Sequence, residues 1–245
     1  MRELTARSVL ASAMLGLDPP EAKVADLVRL AGLFGINANR ARVALSRMVA
    51  GGEATRGADG RYRLEGPLLQ RQARQQVSRT GRTRPWDGTW TVVVATTSLD
   101  VPGDRTERRR AFTRARLAEL REGVWVRPDN VEVDLPTWLD HVVVRLSARI
   151  DSGAVEAGKL WDLRGWSERA DGLLVALADL APDDPAALAP GFVLSASVLR
   201  HLQADPLLPA DLLPDDWSGG DLRSVYDAWD QTYRHLLSQW YRTVG

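Results

Sequence analysis

Three observations predict an α+β fold in three parts. Two helical stretches meet at a glycine turn and run straight into an Asp-Gly hairpin, the pattern of a winged helix-turn-helix over residues 1–66. A strand, helix, strand, strand succession over 86–157 fits a ferredoxin-like middle domain. Leucines at helical spacing dominate 158–245 and predict an α-helical C-terminal domain. Residues 67–85 read as a basic linker helix between the first two parts.

In the first part, Thr5 to Leu15 is the first helix, with Val9, Leu10, Ala13 and Met14 inward, and Gly16, Pro19 and Pro20 end it. A second helix is expected from about Glu21 to Phe34, facing inward through Val24, Leu27, Val28, Ala31 and Leu33 or Phe34. Gly35 stands where a left-handed C-terminal cap wants glycine, and Ile36 can plug the corner. Asn37 then caps a third helix, whose Ala41, Ala44, Leu45, Met48 and Val49 recur at the spacing of one buried face. Asn39, Arg40, Arg42, Ser46 and Arg47 fall off that stripe. These residue types read base edges: Arg forks onto guanine, Asn pairs with adenine, and Ser donates or accepts. Residues 53–56 and 61–64 form the hairpin around Asp59-Gly60, and Arg56, Arg61 and Arg63 place guanidinium groups along the wing, toward phosphates or the minor groove.

In the linker, Pro67 suits a first helical position and Gly81 and Pro85 end the stretch. Leu68, Leu69, Ala73 and Val77 form a thin apolar stripe among Arg71, Arg74, Arg79, Arg82 and Arg84. Strands are expected at 89–97, 123–127 and 141–147, with a helix from Arg105 to Arg121 burying Phe112, Ala115, Leu117 and Leu120. A sheet this small leaves an open edge, which pairing in a homodimer would cover. Further helices are expected from about Gly158 to Pro182 and from Phe192 to Gln203. The proline-punctuated stretch 205–217 must pack over a neighbour. Asp221 caps a last helix with Leu222, Val225, Tyr226, Trp229, Tyr233, Leu236, Leu237 and Trp240 on its face.

Net charge is zero, yet it is unevenly placed. Residues 1–86 carry 15 Lys and Arg against 7 Asp and Glu, a surplus of 8, and the remainder carries 17 against 25, the matching deficit. A basic head on an acidic body suits a nucleic-acid-binding head with a regulatory body. Nearly all the cations are Arg, with only Lys23 and Lys159 as lysines, so Arg enrichment by itself carries little weight. No cysteine is present, which excludes disulfides, thiol nucleophiles and cysteine zinc sites. No apolar run spans a bilayer and Met1 starts no signal-peptide pattern, so a cytoplasmic protein with no membrane partner is expected.

Catalytic chemistry finds little support. His141, His201 and His235 are far apart and lack metal-ligand spacing, so no metal or cofactor is expected. Phosphate-cradling and nucleophile-elbow motifs are missing, and the Asp183-Asp184 and Asp215-Asp216 pairs suit loop caps. An enzyme is therefore not expected. Two alternatives stay open: a winged helix used for protein contacts, and a metal-dependent nuclease on the ferredoxin-like part. The first middle strand ends without a carboxylate, and Asp100 lies a few residues later. Nine tryptophans read mostly as core, with one or two available to line an apolar ligand cavity.

Five segments in this order resemble the PaaX-type repressors of phenylacetic acid degradation: GINANRARVALSRMVAGGE (35–53), GRYRLEG (60–66), WDGTW (86–90), GVWVRP (123–128) and DPLLPADLLPDDWSG (205–219). The resemblance spans nearly the whole chain. It implies a DNA-binding head, a dimerising ferredoxin-like middle domain and a helical C-terminal domain. It also implies a repressor that leaves its operator on binding an aryl-acetyl-CoA thioester such as phenylacetyl-CoA. The DNA-reading role carries over to Asn39, Arg40, Arg42, Ser46 and Arg47. A homodimer on double-stranded DNA would span an inverted repeat with half-sites about 34 Å apart, or a multiple of that. An acyl-CoA wedged between the middle and C-terminal domains would change the angle between the two heads.

Overall fold

A computed structural model describes residues 5–17, 19–66, 68–69, 77–95, 102–150 and 153–243. In chain order the head holds α1 (Ala6–Leu15), β1 (Glu21–Lys23), α2 (Val24–Gly32), α3 (Ala38–Ala50), β2 (Ala54–Arg56) and β3 (Arg61–Leu64). The middle segment holds β4 (Thr89–Ala95), α4 (Pro102–Arg114), β5 (Ala118–Arg121), β6 (Val124–Pro128) and β7 (Val143–Arg149). The last segment is helical, with α5 (Gly153–Leu160), α6 (Leu163–Asp179), α7 (Leu188–Gln203) and α8 (Gly219–Thr243). Among the described residues no helix is long and apolar enough to cross a membrane. The chain forms two compact units: Met1–Arg79 with Leu174–Gln203 and Ser224–Gly245, and Thr80–Leu173 with Ala204–Arg223.

In the first unit α1 begins at Thr5, whose Oγ1 accepts the Ser8 N–H at 3.2 Å and so satisfies a free first-turn donor. Helix α2 is shorter than the sequence suggests. Pro19 and Pro20 bend the chain, with the Glu21 N–H on the Pro19 carbonyl at 2.7 Å, and Glu21–Lys23 pairs with β3 as a strand instead of a first helical turn, with Ala22 opposite Tyr62. The hairpin therefore grows into a three-stranded antiparallel sheet of order β1-β3-β2. Leu30 is buried on α2 beside Leu27 and Ala31, a position absent from the expected stripe. Gly35 adopts φ 69°, and the Ile36 N–H closes back onto the Ala31 carbonyl at 3.1 Å, turning the chain into α3. Ile36 is buried in that corner.

The core of this unit joins Val9, Leu10 and Met14 of α1 to Leu27, Leu45, Met48, Tyr62 and Leu64. Helices α7 and α8 add to it. Phe192 meets Phe34 edge-on at 5.1 Å, and Trp229 stacks on Tyr233 at 5.1 Å. Helix α7 starts at Leu188 rather than Phe192 and runs through Pro190-Gly191 without a break. Proline lies in the first turn, where no helical N–H is needed. Gly191 is required by proximity, because a Cβ there would stand 2.6 Å from a Tyr233 ring carbon. Helix α8 starts at Gly219, so Asp221 sits in its first turn rather than capping it, and Val225 is exposed instead of inward.

In the second unit four strands form an antiparallel sheet of order β5-β6-β4-β7. Alternation along the strands gives each face its own core. Val93 and Trp125 join Ala111, Phe112, Leu117 and Leu139 on one side. Trp90 and Val126 join Leu163, Leu208 and Leu212 on the other, so the 205–217 stretch packs over the sheet. The expected helix to Arg121 ends at Arg114. Arg116 turns the chain at φ 59°, the Leu117 N–H returns to the Phe112 carbonyl at 3.0 Å, and Ala118–Arg121 pairs as β5.

This unit also buries charge. Arg127 on β6 is fully enclosed and donates to the Pro128 carbonyl at 3.0 Å and to Asn130 Oδ1 at 3.1 Å. Asn130 donates to the Leu207 carbonyl at 2.9 Å. Asp205 pairs with Arg223 at 2.6 Å, and its carbonyl accepts from Arg116 at 2.9 Å. The 205–217 stretch is thus pinned by a polar knot of three arginines as well as by its leucines.

Candidate nucleic-acid interface

Helix α3 is built to stand on the core and present one side outward. Asn37 Oδ1 accepts the Arg40 N–H at 2.9 Å, which fixes its first turn. Ala41, Leu45 and Met48 are buried, with Ala44 half-buried, and these hold the back of the helix on α1 and α2. Val49, expected inward, is exposed, because the stripe drifts past it before the helix ends at Ala50.

The front carries Asn39, Arg40, Arg42, Ser46 and Arg47, all exposed. The ion pairs of the head engage Arg7, Arg29, Arg61 and Arg63; among the described residues none engages Arg40, Arg42 or Arg47. Arginine offers a planar fork, the geometry that suits a guanine edge or a phosphate.

The wing differs. Arg56 lies with its guanidinium 6.0 Å from the Tyr62 ring centre and stays exposed. Arg61 is 3.2 Å from Asp59 and 3.8 Å from Glu21. Arg63 binds Glu21 at 2.7 Å. Glu21 therefore holds two of the three wing arginines. The sequence hid this residue because it was expected in the first turn of α2. Only its pairing opposite Arg63 in the β1–β3 register reveals the role.

The linker arginines divide as well. Residues 77–80 are helical, whereas 81–87 are not, so the helix expected to reach Pro85 stops earlier. Arg79 is drawn inward, 2.7 Å from Asp227 and 2.8 Å from Asp230, and Arg84 meets Asp129 at 3.1 Å. Arg71, Arg74 and Ala73 lie outside the described residues, as do Asp100 and the expected strand end at 96–97. Among the described residues, no group of three His, Asp or Glu side chains converges as a metal set.

Family profiles match three consecutive stretches: PaaX-like protein over residues 5–66, PaaX protein central Cas2-like domain over 83–157, and PaaX-like protein C-terminal domain over 162–243. The chain belongs to the PaaX family. PaaX proteins are transcription regulators of phenylacetic acid catabolism rather than enzymes, which gives the exposed cationic face of α3 its setting. Among solved structures, the chain is similar to an uncharacterized protein from Mycobacterium tuberculosis, with 42% identity over 96% of this chain and 98% of that one and a TM-score of 0.76. A search of curated proteins returns no match.

Proposed function

We propose that this PaaX-family chain is a cytoplasmic homodimeric repressor that binds an inverted-repeat operator and is released by an aryl-acyl-CoA such as phenylacetyl-CoA. The observation that carries the DNA reading is the front of α3. Asn39, Arg40, Arg42, Ser46 and Arg47 share one exposed side, and its guanidinium groups form no ion pair among the described residues. We read α1–α3 with the three-stranded sheet as a winged helix-turn-helix, and α3 as its groove-reading helix. Arg56, with Arg61 and Arg63 when they leave Glu21, supplies wing contacts to phosphate.

The four-stranded sheet supports a ferredoxin-like reading. β4, α4 and β5 form a split β-α-β with β6 inserted between the strands, and β7 adds on the far side of β4. Edge strand β7 exposes Val144 and Leu146 at 44% and 52%, an apolar margin suited to burial against a second copy. Two heads held this way would meet half-sites about one helical turn apart.

A gel-shift series with the promoter next to the gene tests this reading. Binding should weaken steeply with salt, because each neutralised phosphate releases counterions. No retardation, or an affinity indifferent to salt, would turn the reading toward a head that docks protein.

A further inference from the structure

The first unit contains a cavity of about 290 Å³ between the head and the last two helices of the chain. One wall comes from α1, β1 and α2, the other from α7 and α8. Four aromatic rings line it: Phe192, Tyr226, Tyr233 and Tyr241. None of the nine tryptophans is among its lining residues. Inside, Ser195 Oγ and the Tyr226 hydroxyl are 2.8 Å apart, so either can turn its proton to a ligand oxygen. Burial pushes the Tyr226 hydroxyl up to about 12, so it stays protonated well into the alkaline range.

Two exposed cations, Lys23 and Arg200, also border the cavity, and neither is in an ion pair among the described residues. The volume lies at the small end of ligand pockets, on the order of 300 Å³, so it admits one ring on a short chain and no nucleotide. Apolar aromatic walls, an internal hydroxyl pair and free cations at the border together specify an amphipathic anion.

We propose that this cavity is an effector site for an aryl ring on a short acyl chain, with Lys23 and Arg200 taking the anionic group outside it. The anion is either the carboxylate of a free acid or the phosphates of a thioester carrier. The inference rests on the ligand-released repressor reading and deepens it, because the same cavity borders the DNA-binding parts. Glu21 and Arg61 are among its lining residues, and Glu21 also holds Arg63. A ligand anion beside Arg61 competes with Glu21 and resets the wing cations. On the opposite wall Arg234 bridges Asp230 and the Gly16 carbonyl that closes α1, and α1 shares a core with α3. Ligand affinity that differs between free and operator-bound protein is then the thermodynamic form of release.

The test is titration of the full chain with phenylacetate, phenylacetyl-CoA and CoA, using calorimetry and operator release together. Wild-type protein should bind phenylacetyl-CoA or phenylacetate, and CoA alone at least tenfold more weakly. Which of the two binds names the source of the anion. Ala196→Phe fills the cavity and should weaken binding at least tenfold, keep operator affinity within twofold, and abolish release. Arg200→Glu and Lys23→Glu are surface changes that should fold normally and weaken binding at least threefold, which preserves the test if Ala196→Phe misfolds. Wild-type affinity in all folded variants, equal binding of CoA alone, or binding of none of the three probes overturns the site. Release of Ala196→Phe from DNA at the wild-type concentration also overturns it, while leaving the repressor reading intact. Failure of the wild type to bind operator, with probe binding still dependent on Ala196 and Arg200, breaks that reading and leaves the site standing.

Discussion

Arginine is used in opposite ways in two regions of this molecule. On β6, Arg127 is enclosed and its donors go to Pro128, Asn130 and neighbouring carbonyls. Burial, with Arg116 nearby, lowers its pKa to about 9. On α3, Arg40, Arg42 and Arg47 stand exposed and form no ion pair among the described residues. One set is consumed by the fold and the other is left for something outside it. The same residue type thus holds structure together in one place and is available for recognition in the other, and only its surroundings tell which.

The largest effect should come from disturbing the buried set. Asp205→Ala removes the carboxylate that meets Arg223 and accepts the Leu207 N–H, and should cost about 3–5 kcal/mol, read by urea unfolding. A loss under about 1 kcal/mol would mean that the knot is solvated and the contrast is false.

Proton linkage gives the next effect. Burial raises the Tyr226 pKa from 10.0 to about 12, and those of Tyr233 and Tyr241 are raised too. A tyrosine whose folded pKa is raised binds its proton more tightly in the native state. Its stabilisation is full below pH 10 and is lost as pH climbs through the folded value. Arg127 works the other way, since the cost of its charge is relieved above about pH 9. Arg116 is lowered by burial in the same sense, and three tyrosines against these two arginines predict falling stability between pH 10 and 12. Tyr226→Phe should remove on the order of 2 kcal/mol of that fall. An unchanged pH profile in the variant would show that Tyr226 ionises freely.

On the recognition side, Arg47→Ala should lower operator affinity by about 1–3 kcal/mol, relax selection at one base, and shift unfolding by under about 0.5 kcal/mol. A comparable loss on every DNA sequence would make Arg47 a phosphate anchor. Asn37→Ala should cost about 1 kcal/mol of stability through the lost cap at the start of α3. No loss would mean that solvent replaces the cap.

Much of this was legible from local pattern. The Asn37 cap, the Ala41-Leu45-Met48 stripe, Gly35 and the hairpin after Gly52 are short-range signals, and each stands as expected. Other features depended on distant partners. Glu21-Ala22-Lys23 has no strand signal of its own and is extended because β3 lies beside it. Arg116-Leu117-Ala118 reads as helix until the left-handed turn at Arg116 makes β5 possible. Val49 and Val225 fit helical stripes but face solvent, because a stripe predicts an orientation and not where the neighbouring element ends. The cavity was invisible for the same reason: its walls come from residues 12–30 and 192–241, together with Arg61.

Operator binding by Arg40→Ala, Arg42→Ala and Arg47→Ala over a salt series decides whether the front of α3 reads duplex DNA. Each variant should bind more weakly, with a shallower salt dependence wherever a phosphate contact is removed and lost base selectivity wherever an edge contact is. Folded variants that bind the operator with wild-type affinity and salt slope would contradict it.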